Sequence, residues 1–421
     1  MHSIFNLMVD RTLHVLIIGF VWPEPDSSAA GVRMLQLIDL FLLQCWKVTF
    51  ASPAVESDFT FDLTQLGIEK VKITLNDSGF DLFIKNLNPD LVLFDRFMIE
   101  EQFGWRVAEN CPGAVRILDT EDLHCLRRAR SKAFKESRDF TDDDLVSEVS
   151  KREVASILRC DLSLIISTFE FNLLCNIFKV DQSLLHFLPF LLDPVNERDI
   201  NKWPSFESRK HFITIGNFLH EPNWDAVLFL KQQIWSLIRK GLPDAEMYVY
   251  GAYPPQKANE LHNPGEGFFI MGRANSAVDV VRDAKVCLAP LRFGAGIKGK
   301  LIEAMQCGTP SVTTDIGAEG MHADLEWSGI IANDAEGIAA AAIKLYSDQK
   351  EWLNAQNRGL QIINECYSKK IPGEEFINRI LSIKNILHQH RMRNFTGAML
   401  MHHTIQGTKY MSKWIEAKNK R

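Results

Sequence analysis

The feature that most constrains this chain is a strand–loop–helix–strand unit in the second half of the sequence. Residues 286–291 form a short apolar run, which is typical of a strand buried on both faces of a parallel sheet. The glycines at 294–296 let a ligand come close to the backbone. A helix is predicted from about Ile297 to the Gly-Thr-Pro sequence at 308–310, and a second strand at 311–314. This order predicts half of a nucleotide-binding α/β unit, with free helix N–H groups facing the loop.

Two charged residues indicate what this unit binds. Lys298 lies in the first turn of the predicted helix, where the helix dipole disfavours a cation unless an anion lies in front of it. Glu303 points away from the apolar stripe of the helix, so the sheet is not expected to cover it. That stripe consists of Ile297, Leu301, Ala304 and Met305. The pattern favours a bound anion, and a tight turn followed by a solvated helix is the alternative.

The sequence PLRFGAGIKGKLIEAMQCGTPSVTT at 290–314 resembles the donor-binding signature of GT-B glycosyltransferases, family 4-like. The resemblance implies that the glycine loop and Lys298 hold the diphosphate of a nucleotide sugar, and that Glu303 accepts hydrogen bonds from ribose hydroxyls. It also implies that backbone groups near Gly272 and Arg273 hold the base. The candidate donor-binding residues are Gly31, His220, Asn223, Gly272, Arg273, Gly294, Ala295, Gly296, Lys298 and Glu303.

The chain departs from the family pattern at two places. Ala295 stands where the family's Glu-x7-Glu pair has its first glutamate. His220 and Asn223 occupy a loop in which the family usually has Arg and Lys. The resemblance therefore assigns more of the diphosphate charge to Lys298, with help from His220. A subgroup with PLRxGAGxKGK is more similar to this chain, which favours a substitution rather than a loss of function.

The first half of the chain repeats the alternation of apolar runs and helical periodicity. Strands are predicted at 13–19, 47–52, 90–95, 116–119, 160–167 and 185–190. The small-residue loop at 28–31, ending in Gly31, resembles the loop that faces the donor phosphates in GT-B enzymes, although an ordinary loop has the same composition. Ser167 and Glu170 have the spacing of a capping box at the start of a helix.

Three polar residues lie at or just beyond the carboxyl end of the predicted strand at 116–119. Open α/β sheets place ligands at the carboxyl ends of their strands, so Asp119, Asp122 and His124 are expected on the functional side. The sequence DTEDLHCLR resembles the family's D-x-x-D-x-H stretch. On this resemblance Asp122 and His124, together with Lys298, are the candidate catalytic residues. The alternative is that an Asp or Thr here only caps the next helix.

The interdomain linker is predicted at 193–209, a segment that carries prolines, asparagines and charges. A second series of strands and helices begins after it, with Asn223 as the predicted N-cap of its first helix. We therefore predict an α/β fold of two doubly wound parallel-sheet, Rossmann-like domains that face each other across a cleft. The predicted boundaries are 1–200 for the acceptor-side domain, 205–375 for the donor-side domain and 376–421 for a helix and basic tail. In the family, this helix commonly packs back on the first domain.

Composition excludes several classes of protein. The chain is 46% hydrophobic and 24% charged, as expected of a soluble globular protein, and its net charge of −6 argues against a nucleic-acid partner. The eight cysteines lack metal-binding or paired spacing, which favours a reducing, cytoplasmic compartment. No apolar run reaches membrane-spanning length, and His14 interrupts a run at 13–22 that otherwise imitates a signal peptide.

The carboxyl-terminal tail has a different character. From Arg379 to Arg421 there are nine Lys or Arg residues and a single acidic residue, Glu416. With Trp414, this composition suits the surface of an anionic membrane. A solvated or frayed tail is the alternative.

The resemblance to GT-B glycosyltransferases implies a metal-independent glycosyltransferase that has no cofactor besides its nucleotide-sugar co-substrate. The acceptor classes left open are a glycan, a lipid-linked sugar and a small molecule, and neither the donor base nor the sugar is specified. The resemblance implies retention of anomeric configuration. Two alternatives remain: a non-catalytic protein that binds sugar nucleotides or glycans, and a sugar-nucleotide epimerase.

Overall fold

The computed structural model describes residues 12–419, apart from the side chains of 403–406. The ends of the predicted domains, at 1–11 and 420–421, lie outside this range. Within it, the chain forms two parallel β-sheets that are flanked by helices. None of the described helices is both long and apolar enough to cross a membrane.

Across residues 12–419, the first sheet contains seven parallel strands in the order β3-β2-β1-β4-β5-β6-β7. Its central strands β4 and β5 are buried along their whole length, as their uninterrupted apolar runs predict. The strands are β1 (His14–Ile18), β2 (Lys47–Ser52), β3 (Glu69–Lys72), β4 (Leu91–Asp95), β5 (Val115–Asp119), β6 (Leu162–Ile165) and β7 (Leu185–Phe187).

The second sheet, in the same described range, contains six parallel strands in the order β10-β9-β8-β11-β12-β13. Strand β11 is completely buried at its centre and leads directly into the glycine loop. The strands are β8 (Lys210–Ile215), β9 (Met247–Tyr250), β10 (Phe268–Gly272), β11 (Ala284–Ala289), β12 (Ser311–Thr313) and β13 (Gly329–Ile331).

Helices cover both faces of each sheet. Those of the first domain are α1 (Ala29–Leu43), α2 (Gly79–Leu87), α3 (Phe97–Asn110), α4 (His124–Lys135), α5 (Glu148–Arg159) and α6 (Thr168–Asn176). The linker contains α7 (Glu197–Ile200). Those of the second domain are α8 (Glu221–Phe229), α9 (Trp235–Gly241), α10 (Gln256–Asn259), α11 (Ala277–Asp283), α12 (Gly299–Gln306), α13 (Asp315–Ala318), α14 (Ala335–Ser347) and α15 (Gln349–Cys366).

Three carboxyl-terminal helices return to the first domain: α16 (Lys370–Asn385), α17 (Leu387–Arg393) and α18 (Phe395–Asn419). Helix α16 inserts apolar side chains into the core on one face of the first sheet, where the rings of Phe376 and Phe41 lie 6.1 Å apart. The guanidinium of Arg391 on α17 donates to both carboxylate oxygens of Asp161, at 2.8 and 2.7 Å. Helix α18 then packs against α5 and α3.

The carboxyl ends of the strands in both sheets open into one cleft of about 1460 Å³ between the domains. The predicted fold class, two doubly wound parallel-sheet domains facing across a cleft, is confirmed. Two helix starts differ from prediction. Helix α12 begins at Gly299 rather than near Ile297, and α8 begins at Glu221 with His220 as its N-cap instead of Asn223.

Candidate active site

Lys298 lies where the glycine loop meets α12. It is the N-cap residue of the helix and has an extended conformation. Gly296, with a φ of +64°, turns the chain two residues earlier. Only 8% of Lys298 is exposed, and its Nζ donates to the Gly296 carbonyl at 2.8 Å. Burial lowers the pKa of Lys298 to about 8, against the opposing charges of Glu319 and Glu170. A buried cation at a helix N-terminus suits an anionic ligand.

Lys300 supplies a second cation that the sequence analysis did not select. Its Nζ donates to Asn223 Oδ1 at 2.8 Å, and burial lowers its pKa to about 8. The repeated Gly-Lys in the sequence GKGK was the available signal. Asn223, a predicted donor-binding residue, thus positions Lys300, and its amide also donates to the Asn217 carbonyl at 3.0 Å.

Glu303 faces the cleft one turn into α12. Its carboxylate has no hydrogen-bond or ion-pair partner among residues 12–419, and burial alone raises its pKa to about 7. A carboxylate in this position can accept hydrogen bonds from ligand hydroxyls. The helix therefore presents cations at its start and an acceptor one turn later.

Asp122 and His124 lie on the opposite wall, beyond the carboxyl end of β5. Asp122 pairs with Arg127, and its Oδ1 lies 3.5 Å from His124 Nε2. Burial raises the pKa of Asp122, but Arg127 and the histidines outweigh it and bring the pKa to about 2. Burial lowers the pKa of His124 to about 4, so His124 is neutral at pH 7.

Neither Asp122 nor a threonine caps α4. The N–H groups of His124 and Cys125 both donate to the carboxylate of Glu153 on α5, at 2.9 Å each. Asp119 is completely buried and accepts from the guanidinium of Arg33 on α1 at 3.1 Å. Asp119 therefore fixes α1 to the sheet, which leaves Asp122 and His124 as the cleft-facing members of the motif.

The structure adds Glu121 to this wall, a residue that the sequence analysis did not select. Its φ of +62° is unusual for a residue with a Cβ and turns the side chain toward the ends of β4 and β5. Burial raises the pKa of Glu121 to about 8, and the neighbouring carboxylates Asp119 and Asp95 add to the shift. The three acidic residues in the sequence DTED carried no signal that distinguished Glu121.

The remaining candidate residues lie along the rim. Gly31 is within α1; its N–H donates to the N-cap Ser28 at 3.1 Å, and a Cβ at Gly31 would overlap the backbone of Glu24. Gly31 thus serves the packing of this loop rather than offering a free N–H. His220, exposed at the start of α8, also lines the cleft.

Arg273, which follows Gly272, connects the second domain to the first. Gly272 adopts a φ of +71°, and its carbonyl accepts from Gly251 at 2.8 Å. Arg273 forms an ion pair with Asp26 at 3.6 Å and lies 4.4 Å from the centre of the Phe59 ring. Arg273 therefore contributes to a contact between the domains at one rim of the cleft.

This arrangement of two sheets and a shared cleft matches solved structures over most of the chain. A glycosyltransferase from Rickettsia africae superposes with a TM-score of 0.64 at 11% identity, covering 88% of this chain and 98% of that one. HepE from Anabaena, solved with UDP and glucose, gives 0.63 at 13% identity, covering 88% and 100%. The fold is GT-B.

Some of the solved structures that resemble this chain are matched over only part of their length. S. aureus TarM, solved with fondaparinux, alpha-GlcNAc-glycerol and UDP, superposes with a TM-score of 0.57 at 15% identity. That match covers 71% of this chain, which spans 58% of the length of the TarM chain. A search of curated proteins finds no significant sequence match.

A family model matches part of the second domain. Residues 209–348 match the model described as "Glycosyl transferases group 1", which covers β8 to α14 and the glycine loop. The match to this family model thus lies within the second domain, and the structural neighbours of the whole chain are GT-B glycosyltransferases. In residues 12–419, no group of three or more His, Cys, Asp or Glu side chains is arranged to hold a metal ion.

Proposed function

We propose that this protein transfers a sugar from a nucleoside diphosphate donor to an acceptor. The observation that carries the proposal is the arrangement of α12, with Lys298 and Lys300 at its start and the unpartnered Glu303 one turn later. The lysines would hold the diphosphate and Glu303 the ribose. The family-model match over this segment and the GT-B fold support the same assignment.

The chemistry of the leaving group fits these side chains. As the bond to the sugar breaks, negative charge grows on the diphosphate while the sugar becomes oxocarbenium-like. Preorganised cations and N–H donors stabilise that charge more in the transition state than in the ground state. We therefore propose that the lysines and the N-terminus of α12 replace a divalent metal, so that transfer should continue in EDTA.

His124 and Asp122 are proposed to act on the opposite side of the sugar. The neutral imidazole of His124 can exchange hydrogen bonds with sugar hydroxyls, and Asp122 lies 3.5 Å from its Nε2. Retention of anomeric configuration is proposed on the family resemblance. The anomeric configuration of the isolated product, measured by NMR, tests it.

We propose that the acceptor enters from the first domain and is a glycan, a lipid-linked sugar or a small molecule. The carboxyl-terminal helix α18 exposes Phe395 (72%) and Trp414 (60%) on the first domain. With the basic tail, these side chains support peripheral contact with an anionic membrane. The described cysteines are all free, in keeping with a cytoplasmic location.

A panel of UDP- and GDP-sugars, incubated with the full chain and mixed acceptors, tests the proposed function. We expect release of free nucleoside diphosphate together with a glycosylated acceptor or a hydrolysed sugar. An isomerised donor would indicate an epimerase instead. Binding of a donor that is never consumed would indicate the non-catalytic alternative.

A further inference from the structure

Glu170 does not occupy the position that its sequence context predicts. Ser167 and Glu170 have capping-box spacing, which would direct the Glu170 carboxylate back to the Ser167 N–H. Ser167 is the N-cap residue of α6, but the cap lacks its side-chain hydrogen bond. The Glu170 side chain, which is completely buried, reaches out of its own helix instead.

One oxygen of Glu170 joins the two domains. Glu170 Oε1 accepts the N–H of Leu123 at 2.9 Å and the N–H of Gly296 at 2.9 Å. Leu123 lies just before α4 in the first domain, whereas Gly296 belongs to the glycine loop of the second. The other oxygen, Oε2, is buried and lacks a partner within the described part of the chain.

Further contacts from the first domain reach the same loop. Arg130 on α4 donates to the Gly294 carbonyl at 3.0 Å and holds both carboxylate oxygens of Glu319, at 2.8 and 2.7 Å. A Cβ at Gly296 would lie 2.8 Å from the Cβ of Asp122. The loop therefore sits directly against the motif that carries His124.

The connected groups lie next to the candidate catalytic side chains. Leu123 immediately precedes His124, and Gly296 is the residue whose carbonyl holds Lys298 Nζ at 2.8 Å. Glu170 Oε1 thus binds the residue just before His124 in the first domain and the residue two positions before Lys298 in the second. A displacement of this oxygen would change the distance between the two walls of the cleft.

We propose that Glu170 is a positioning residue for sugar transfer, which fixes His124 of the first domain relative to Lys298 of the second. The proposal rests on the proposed function, since it assigns these two side chains to the same reaction. The proposed contacts to the nucleotide, Lys298, Lys300 and Glu303, all belong to α12 and its N-cap, so the loss of Glu170 should lower turnover more than it weakens nucleotide binding. Misplacement of reacting groups by about 1 Å can lower a rate about a hundredfold.

The role requires an acceptor oxygen rather than a negative charge. Burial raises the pKa of Glu170 to about 8, and the nearby Asp122 adds to the shift, so the carboxyl group is largely neutral at pH 7. The carbonyl oxygen of a neutral carboxyl group or of an amide can also accept both N–H groups. We therefore expect a glutamine at position 170 to preserve turnover and a shorter side chain at this position to reduce it.

The test compares Glu170→Ala, Glu170→Asp and Glu170→Gln in the full chain. Measured quantities are kcat with the nucleotide sugar that the parent consumes and the Kd for UDP by titration calorimetry. We expect kcat to fall roughly ten- to a hundredfold in the Ala and Asp variants and to stay within about threefold in the Gln variant. The Kd for UDP should change by less than about threefold in all of them.

Glu100→Ala is the matched control. Glu100 is also a buried carboxylate of the first domain, on α3, but its side-chain hydrogen bonds go to Arg159 on α5 rather than to the start of α4 or the glycine loop. A fall in kcat equal to that of Glu170→Ala would show that the loss of any buried carboxylate in this domain has the same effect, and it would overturn the proposal. An unchanged kcat in Glu170→Asp would also overturn the proposal. This variant keeps the site folded and provides the test if Glu170→Ala does not fold. A parent that consumes no nucleotide sugar would overturn the proposed function itself.

Discussion

Burial shifts the pKa values of three ionisable groups on α12 and its N-cap toward neutrality. The pKa values of Lys298 and Lys300 fall to about 8, and the pKa of Glu303 rises to about 7. The lysines attract a diphosphate only while protonated, and Glu303 accepts ribose hydroxyls best while ionised. The three groups have these charges together only in the interval between the two pKa values.

We therefore predict that UDP affinity is greatest between about pH 7 and pH 8. Lys298→Ala should weaken binding roughly ten- to a hundredfold and reduce the loss of affinity above pH 8. Glu303→Gln should weaken binding by a similar factor and remove the loss below pH 7. Titration calorimetry with UDP and GDP from pH 6.5 to pH 9 measures both effects.

Exposed residues of the same types provide the controls for these two variants. Lys350→Ala and Glu336→Gln change charges on the outer helices of the second domain and should leave the pH profile as it is in the parent. If both site variants bind UDP as the parent does, the donor site is assigned incorrectly, and the proposed enzyme function is lost with it.

A second prediction concerns His124. Because its pKa is about 4, the imidazole is neutral across the physiological range and acts through hydrogen bonds rather than charge. His124→Ala should lower kcat about ten- to a hundredfold with little change in UDP affinity. Equal losses of UDP binding and of turnover in calorimetry and kinetics would assign His124 a structural role.

At the scale of single elements, the sequence predicted the strands better than the helix ends. Buried parallel strands have unbroken apolar runs, and those at β4, β5 and β11 lie where the runs are. Helix starts depend on which partner reaches the first N–H groups. Glu153, from another helix, caps α4, and no local pattern contains that information.

Helix α18 carries the prediction about membranes. Phe395 and Trp414 are exposed near its two ends, and Lys418 lies 5.3 Å from the Trp414 ring. Large apolar side chains beside lysines bind best to an interface that is both apolar and anionic. We expect the full chain to co-sediment with vesicles containing phosphatidylglycerol, and the double variant Phe395→Ala, Trp414→Ala to lose most of this binding.

Val55→Ala is the control for this experiment, since Val55 is 82% exposed on a loop outside the carboxyl-terminal helices. It should co-sediment as the parent does. Co-sedimentation that is the same for the parent and the double variant would contradict membrane contact through α18.

At the scale of the whole molecule, the repeated alternation of strands and helices was sufficient to predict two facing domains. The contacts that join them were not predictable, because their partners are far apart in sequence. Arg130 and Glu319 are separated by 189 positions, and Glu170 and Gly296 by 126. Local periodicity describes each element, whereas these pairs depend on how the finished domains meet.

The return of α16 to the first domain gives the last prediction. Phe376, Ile377, Ile380 and Ile383 are buried in the core of that domain. At about 1.5–3 kcal/mol for each side chain, together they contribute an amount comparable to the net stability of a typical domain. A chain that stops after residue 369 should therefore aggregate or bind the dye ANS, while the full chain should not. A truncated chain that stays monomeric and unfolds at the parent's temperature would contradict this.

The same feature has a consequence for synthesis on the ribosome. The strands of the first sheet emerge before any residue of the second domain, but the segment that completes their core, 370–393, is translated after it. During that interval the nascent first domain has an uncovered apolar groove, while the second domain has all of its own strands and can fold. The domain translated first is thus the last to be finished, and it is the one for which a chaperone would be needed.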